Sequence, residues 1–170
     1  MEADTKMRDY YASRAPVYDR VYAKPDRQAD LRYLEGFVAD YFTGAKVLEI
    51  ACGTGYWTQF IAPAAAAMLA TDGTPEPLVL ARQRPDVGNV EFRVEDAFQL
   101  SSELDSFDGV FAGLWLSHIP KENLKAFVVS LHGYLVAGTK VLFIDNSLCS
   151  VKSCQYAIPI VMVIPINYAH

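Results

Sequence analysis

The chain has 170 residues, of which 52% are hydrophobic and 21% are charged, so it can form the core of one domain and is not disordered throughout. Its net charge is −5 at pH 7, which excludes a global positive field of the kind that collects nucleic acid or anionic membranes. Three cysteines without a CxxC or zinc-ligand pattern exclude a disulfide scaffold and favour a reducing compartment, so we expect a cytoplasmic protein without a metal site. The first four residues, MEAD, do not resemble a secretory signal, and no apolar run of 18 residues predicts a membrane span.

Helix-periodic and strand-like segments alternate along the chain. Apolar residues recur at spacings of three and four in the helical segments, whereas short apolar runs such as KVLEIA are typical of buried strands. The predicted helices lie near 27–43, 56–62, 75–84 and 121–136, and the predicted strands lie at 46–51, 67–71, 90–94, 107–112 and 140–145. This order predicts an α/β fold, a Rossmann-like doubly wound parallel sheet with helices on both faces and ligands beyond the carboxyl ends of the strands.

The strongest motif runs from Glu49 to Gly55, where a buried strand enters a glycine turn that opens a helix. Gly53 and Gly55 allow the backbone to approach a ligand closely, because they have no Cβ. An NAD-binding turn has the same layout but requires a third glycine where Thr58 stands, which disfavours a nicotinamide-dependent oxidoreductase. A carboxylate beside the turn favours a ligand with a cationic amino group over a pyrophosphate, since like charges repel.

This motif resembles the first motif of the class I S-adenosylmethionine-dependent methyltransferases, with Ala51 in the position of their first glycine. The resemblance covers about residues 8–145 and implies S-adenosyl-L-methionine as the cofactor. It implies that Asp72, after the second strand, binds the ribose hydroxyls, and that Asp96 and Ala97, after the third strand, bind adenine. The other implied cofactor contacts are Glu49, Ala51, Gly53, Gly55 and Gly113. The alternative is that Asp72 and Asp96 only form a turn or cap a helix, since aspartate is common at both positions.

The N-terminal segment YYASRAPVYD resembles the Tyr-rich entry segment of small-molecule methyltransferases, including the quinone-biosynthesis type. The resemblance implies a lid in which Tyr10 and Tyr18 cover the sulfonium cofactor with their aromatic faces. The alternative is that both tyrosines are core aromatics of an N-terminal helix. Arg14 is either a contact for an acidic substrate group or a solvated charge, and Trp57 either packs the helix after the turn or contacts the substrate.

His118 is the candidate acid–base residue, because it follows the fourth strand on the side where the cleft is expected. A histidine there could take a proton from a hydroxyl, an amine or an activated carbon. The alternative is a residue at the start of a helix that is hydrogen-bonded to the backbone. No Asp-Pro-Pro-Tyr or Asn-Pro-Pro-Tyr sequence follows the fourth strand, which disfavours methylation of amino groups on nucleic acid bases.

The last segment, residues 147–170, differs from residues 1–146, which we expect to form the cofactor-binding domain with its lid. Lys152 is the only charge of this apolar tail, and Pro159 and Pro165 interrupt its one strand-like run, residues 157–166, which predicts an edge strand or coil. The family sheet has seven strands, and the tail is too short for a sixth and seventh with their crossover, so we expect these strands to be missing or replaced. The outer edge of the fifth strand would then be open, as a surface for self-association. The alternatives are that the tail pairs along this edge or serves as an apolar contact with a partner.

Two functions follow from these observations. The first is methyl transfer from S-adenosylmethionine to a small-molecule acceptor by in-line displacement, without nucleic acid or a membrane as partner. The second is a catalytically impaired or regulatory protein that binds the cofactor, in which the atypical tail replaces part of the catalytic fold.

Overall fold

The computed structural model describes residues 19–20, 22–100, 107–146 and 159–165. Within them, one six-stranded sheet has the strand order β3-β2-β1-β4-β5-β6, and β1 to β5 are all parallel. The strands are β1 (Lys46–Glu49), β2 (Ala67–Asp72), β3 (Val90–Val94), β4 (Gly109–Gly113), β5 (Lys140–Asn146) and β6 (Pro159–Pro165). The helices are α1 (Gln28–Tyr41), α2 (Thr58–Ile61), α3 (Pro75–Ala81) and α4 (Lys121–Tyr134), with 3-10 turns at Pro25–Arg27 and Leu116–His118. The predicted doubly wound parallel sheet is confirmed.

Helices cover both faces of the sheet because its strands are apolar on both sides. Val47 of β1 packs into a cluster with Leu34 and Val38 of α1, whereas the next residue, Leu48, packs into a second cluster with Phe127 of α4. All of these side chains are buried. Burying a side chain of this size contributes about 1.5–3 kcal/mol, so the two clusters hold the carboxyl ends of the strands in fixed register.

One predicted helix is shorter than expected. The sequence predicts a helix over 56–62, but residues 53–57 form turns and α2 spans Thr58–Ile61. Gly53 and Gly55 have φ angles of +56° and +76°, which a right-handed helix does not accommodate. The chain therefore completes its turn before the helical hydrogen bonds begin.

The tail forms a strand at the edge of the sheet. Residues 159–165 pair antiparallel with β5, so the expectation of an open edge at the fifth strand is wrong, and the alternative in which the tail pairs along that edge as a replacement strand is confirmed. Pro159 and Pro165 stand at the two ends of β6, opposite Asn146 and Lys140. A proline lacks the N–H donor of a ladder, and at the ends of an edge strand that loss interrupts the least pairing.

Among the helices of the described residues, none combines the length and the apolar composition that a bilayer crossing requires.

Gly109 offers a test of how tightly β4 packs against the helix layer. A Cβ at this position would lie 2.6 Å from the ring of Phe42, which is fully buried. We expect Gly109→Ala to lower the free energy of unfolding by about 1–3 kcal/mol, since the ring has no free space to move into. Urea denaturation measures the change.

The matched control is Gly36→Ala in the middle of α1, where a Cβ would meet nothing within 4 Å. There alanine should raise the free energy of unfolding by up to about 1 kcal/mol through helix propensity. Equal effects of the two substitutions would contradict the packing described for β4.

Candidate functional site

The turn after β1 brings backbone, rather than side chains, to the carboxyl edge of the sheet. The N–H of Gly55 donates to the carbonyl of Cys52 at 3.0 Å, which closes the turn. A Cβ at Gly55 would lie 2.9 Å from the Cβ of Ala81, so this glycine allows the turn to pack directly on α3. Ala51, in the position of the family's first glycine, adopts a φ of +54°, a conformation that costs a residue with a Cβ about 1–2 kcal/mol.

Asp72 fixes the turn to the end of β2. One carboxylate oxygen accepts a hydrogen bond from the N–H of Gly53 at 3.0 Å, and the other accepts from the N–H of Thr74 at 3.1 Å. Burial raises the pKa of Asp72, and these backbone donors oppose that rise. A carboxylate has about four lone-pair sites, so the side chain retains acceptor capacity on the side that faces the cleft.

Glu49 lies beneath the turn rather than on the wall of the cleft. Its side chain is 1% exposed, and one of its oxygens accepts a hydrogen bond from the Thr58 hydroxyl at 2.6 Å. Burial raises the pKa of Glu49 to about 8, the bond from Thr58 opposes this rise, and the negative charge of Asp72 adds to it. The expectation of a carboxylate that faces the ligand therefore differs from the structure, in which the buried side chain of Glu49 joins β1 to α2 through its hydrogen bond with Thr58.

The burial of Glu49 makes stability depend on pH. Its pKa is about 8 in the folded chain and about 4.5 when solvated, so the folded state binds the proton more tightly. The free energy of unfolding should fall as the pH rises from about 4.5 to about 8, with a slope from this group of up to about 1.4 kcal/mol per pH unit. Glu49→Gln removes this contribution, and urea titrations at a series of pH values measure it.

The control for that experiment is Glu76→Gln, because Glu76 is exposed in the first turn of α3. The Glu76 variant should follow the pH dependence of the wild type. If the free energies of unfolding of the wild type and of Glu49→Gln change in parallel between pH 5 and 8, Glu49 does not bind a proton more tightly in the folded state.

Asp96 and Ala97 follow β3 on the same edge of the sheet. An oxygen of the Asp96 side chain accepts a hydrogen bond from the N–H of Phe98 at 2.9 Å, so Asp96 stabilises a turn, as the alternative to a ligand contact expects. The same two residues also line the cleft. The structural role and the implied adenine contact are therefore compatible.

A cleft of about 1070 Å³, its open mouth included, runs along the carboxyl ends of the strands. Seven of the sequence-predicted site residues line it: Ala51, Gly53, Asp72, Asp96, Ala97, Gly113 and His118. Glu49 and Gly55 do not line it, and they lie behind the lining residues, where Glu49 bonds to Thr58 and Gly55 packs on Ala81. Tyr10, Tyr18 and Arg14 lie outside the described residues.

Aromatic side chains that the sequence did not assign to the site form part of the wall. Tyr22 stacks on Tyr56 with ring centroids 3.5 Å apart, and Trp57 meets both rings edge-on. Trp57 is 3% exposed, so the predicted packing role is confirmed, yet it also lines the cleft. The indole nitrogens of Trp57 and Trp115 are buried without a hydrogen-bond partner among the described residues.

The end of the Tyr-rich segment is attached to the glycine turn by an ionic cluster. Asp19 accepts a hydrogen bond from the Thr54 hydroxyl at 2.6 Å and forms an ion pair with Arg84. Arg84 also donates to the carbonyl of Thr54 at 2.9 Å. The residues of this cluster are far apart in sequence, and no local pattern announces their contact.

His118 ends the 3-10 turn after β4 and lines the cleft. Its backbone N–H donates to the carbonyl of Trp115 at 2.9 Å, as the alternative of a backbone-bonded residue expects, and the acid–base role stays a prediction. Burial lowers the pKa of the imidazole, and the charge of Asp145 opposes this effect. The neutral imidazole is the form that can accept a proton.

Residues 47–138 match the family described as a methyltransferase domain. The chain belongs to this family. The matched residues cover more than half of the chain, including the glycine turn, Asp72, Asp96 and His118. The resemblance to class I S-adenosylmethionine-dependent methyltransferases is thereby confirmed at the level of the family.

Solved structures and a curated protein agree with this methyltransferase domain. The chain is 33% identical to DhpI in a complex with SAM and HEP, covering 85% of this chain and 66% of that one with a TM-score of 0.73. It is 31% identical to DhpI in a complex with SAH, covering 92% and 76% with a TM-score of 0.72. It is also 29% identical over 98 residues to a protein-L-isoaspartate O-methyltransferase of Picosynechococcus sp., covering 56% of this chain. The chain spans 44% of that curated relative's length.

Proposed function

We propose that the chain binds S-adenosylmethionine in the cleft and transfers its methyl group to a small-molecule acceptor. The observation that carries this proposal is the Asp72 carboxylate, held against the N–H of Gly53 where the glycine turn meets the cleft. The family match and the likeness to DhpI, which was solved with SAM and with SAH, support the same ligand.

The charge of the cleft suits this ligand. Three carboxylates, Asp72, Glu95 and Asp96, line it, of which Glu95 forms an ion pair with Arg93 at 3.1 Å, and no lysine or arginine is among its described lining residues. Such a wall attracts the sulfonium and ammonium groups of S-adenosylmethionine and repels the pyrophosphate of a dinucleotide. Thr58, where a dinucleotide site needs a third glycine, is buried and hydrogen-bonded to Glu49.

The order of the strands suggests which residues hold which part of the ligand. Asp96 and Ala97 follow β3 and would hold adenine, Asp72 follows β2 and would hold the ribose, and the turn with Gly53 follows β1. The methionine portion would then lie towards Gly113 at the end of β4. The free indole donor of Trp57 lies next to Gly113, since a Cβ there would be 2.5 Å from its nitrogen, and it would be satisfied by a ligand that carries acceptor oxygens.

The chemistry places modest demands on the protein. The bound ligand supplies a methyl group on a positively charged sulfur, which is already activated towards an incoming lone pair. The residues of the chain orient the two reactants and exclude water, and orientation of this kind is worth about 7–11 kcal/mol.

A small molecule is the acceptor that the site favours. The acceptor enters an enclosed cleft lined by aromatic side chains, rather than a flat basic surface. The net charge of −5 opposes binding to the phosphate backbone of a nucleic acid. His118 stands at the β4 end of the cleft, where the methyl group would be presented.

Asp72→Asn tests the binding site. The asparagine carbonyl can still accept from one backbone N–H, but the charged acceptor for the ligand is lost. We expect the Kd for S-adenosylhomocysteine to rise about 10- to 100-fold, which corresponds to about 1.5–3 kcal/mol for a hydrogen bond to a charged group. Isothermal titration calorimetry measures the Kd, and thermal unfolding verifies that the variant is folded.

The control is Asp86→Asn, since Asp86 is exposed in the turn before β3 and does not line the cleft. Its Kd should equal that of the wild type. An unchanged Kd in folded Asp72→Asn would remove the ribose assignment, and cofactor binding without turnover of any acceptor would favour the alternative of a non-catalytic cofactor-binding protein.

A further inference from the structure

The outer side of α1 faces away from the residues that this helix buries against the sheet. Arg32, Gly36 and Asp40 are all exposed there and follow one another at intervals of four, so they form one row along the helix. Tyr33 lies beside this row, and 72% of its surface is exposed. We call these four residues the outer face of α1.

No contact among the described residues requires a glycine at position 36. Gly36 lies in the interior of α1, where glycine destabilises a helix relative to alanine. Its φ angle is not in the left-handed region, and a Cβ at this position would meet nothing within 4 Å. The missing side chain leaves the backbone of α1 accessible, and glycine is the residue that permits the close approach of a second backbone.

The charges of the outer face have opposite signs at its two ends. Arg32 and Asp40 are separated by a rise of about 12 Å along the helix, which is too far for an ion pair within one chain. The ion pairs among the described residues include neither of them. Asp40 also lies in the last turn of α1, where the helix dipole disfavours an acidic side chain. Both charges are therefore accessible to a partner of complementary charge.

We propose that the outer face of α1 docks on the same face of a second copy of the chain, with the two helices antiparallel and Gly36 at their crossing point. A twofold arrangement places Arg32 of each copy against Asp40 of the other, so the same ion pair forms twice. Rows of residues at intervals of four interlock when two helices cross at about −50°, the commonest helix packing in globular proteins. Tyr33 then covers part of the opposite helix, and tyrosine is enriched in such contacts.

The charges favour a second copy over other partners. A nucleic acid is opposed by Asp40 and by the net charge of −5. A lipid surface would desolvate the Asp40 carboxylate without a partner, whereas an antiparallel copy supplies a guanidinium. None of the described residues that line the cleft belongs to α1, so the dimer leaves the cleft open, and this inference is independent of the proposed function.

Charge reversal tests the contact in the full-length protein by sedimentation equilibrium at low salt. We expect the wild type to dimerise with a Kd in the micromolar range, since the contact is small. Arg32→Asp and Asp40→Arg should each raise this Kd about tenfold or more, because each variant places like charges opposite one another at both ends of the contact.

The two charge variants also test the pairing itself. One variant carries only acids and the other only bases at these two positions, so an equal mixture should form a heterodimer although neither variant dimerises well alone. The double variant Arg32→Asp/Asp40→Arg restores opposite charges at both ends and should dimerise with the Kd of the wild type.

Gly36→Gln tests the crossing point. Glutamine is a good helix former and its Cβ has open space, so the monomer should stay folded, whereas its side chain would separate the two helices and raise the dimer Kd about tenfold or more. The matched control is Gly133→Gln on α4, where the glycine is also exposed with nothing within 4 Å of a Cβ, and the Kd should not change. Thermal unfolding verifies that each variant is folded.

A wild-type chain that remains monomeric up to about 1 mM overturns the proposal. A dimer whose Kd is unchanged in the charge variants or in Gly36→Gln forms through another surface and overturns it as well, as does the absence of the heterodimer. The Kd for S-adenosylhomocysteine, measured by calorimetry, should be the same in all of these variants, so failure of the dimer is distinguishable from failure of the cofactor assignment.

Discussion

The hydrogen bond from the Gly53 N–H to the Asp72 carboxylate joins the glycine turn to the neighbouring strand, and the rest of the site is arranged around this contact. Two parallel strands end side by side, and the turn after one of them must lie close to the end of the other. Gly53 and Gly55 allow this approach with φ angles that few other residues adopt, and Ala51 tolerates one at a cost. The parallel pairing of β1 and β2 therefore places the glycine turn and the Asp72 carboxylate side by side at the cleft.

Acidic side chains at this edge of the sheet serve two different purposes, one behind the cleft wall and one on it. Glu49 is enclosed between β1 and α2, where burial favours its proton and its hydrogen bond with Thr58 supports the turn from below. Burial raises the pKa of Asp72 as well, and the backbone donors that hold this carboxylate at the cleft oppose the rise. One carboxyl group thus supports the structure of the turn from below, and the other lines the cleft, where we propose that it contacts the ligand.

Much of the fold could be predicted from the sequence, because each strand is a short apolar run and apolar residues recur every three or four positions in the helices. The location of Asp72 and Asp96 followed from the rule that residues after parallel strands meet at one edge. The orientation of Glu49 could not be predicted in this way, since it depends on the pairing of β1 with two neighbours and on the packing of α2. The contacts of Asp19 with Arg84, and of Asp145 with Ser117, join residues that are distant in the chain and carry no local signal. The tail was underestimated, because its prolines weaken a strand in the middle of a sheet but are tolerated at the ends of β6.

The most direct test of the account is calorimetry of the wild-type chain with S-adenosylhomocysteine and, separately, with NAD. A cleft with three carboxylates on its described wall, and with Thr58 buried in place of a third glycine, should bind S-adenosylhomocysteine with one-to-one stoichiometry and show no heat of binding with NAD. Binding of NAD without binding of S-adenosylhomocysteine would contradict the assignment of the glycine turn and of Asp72 to an adenosyl sulfonium ligand.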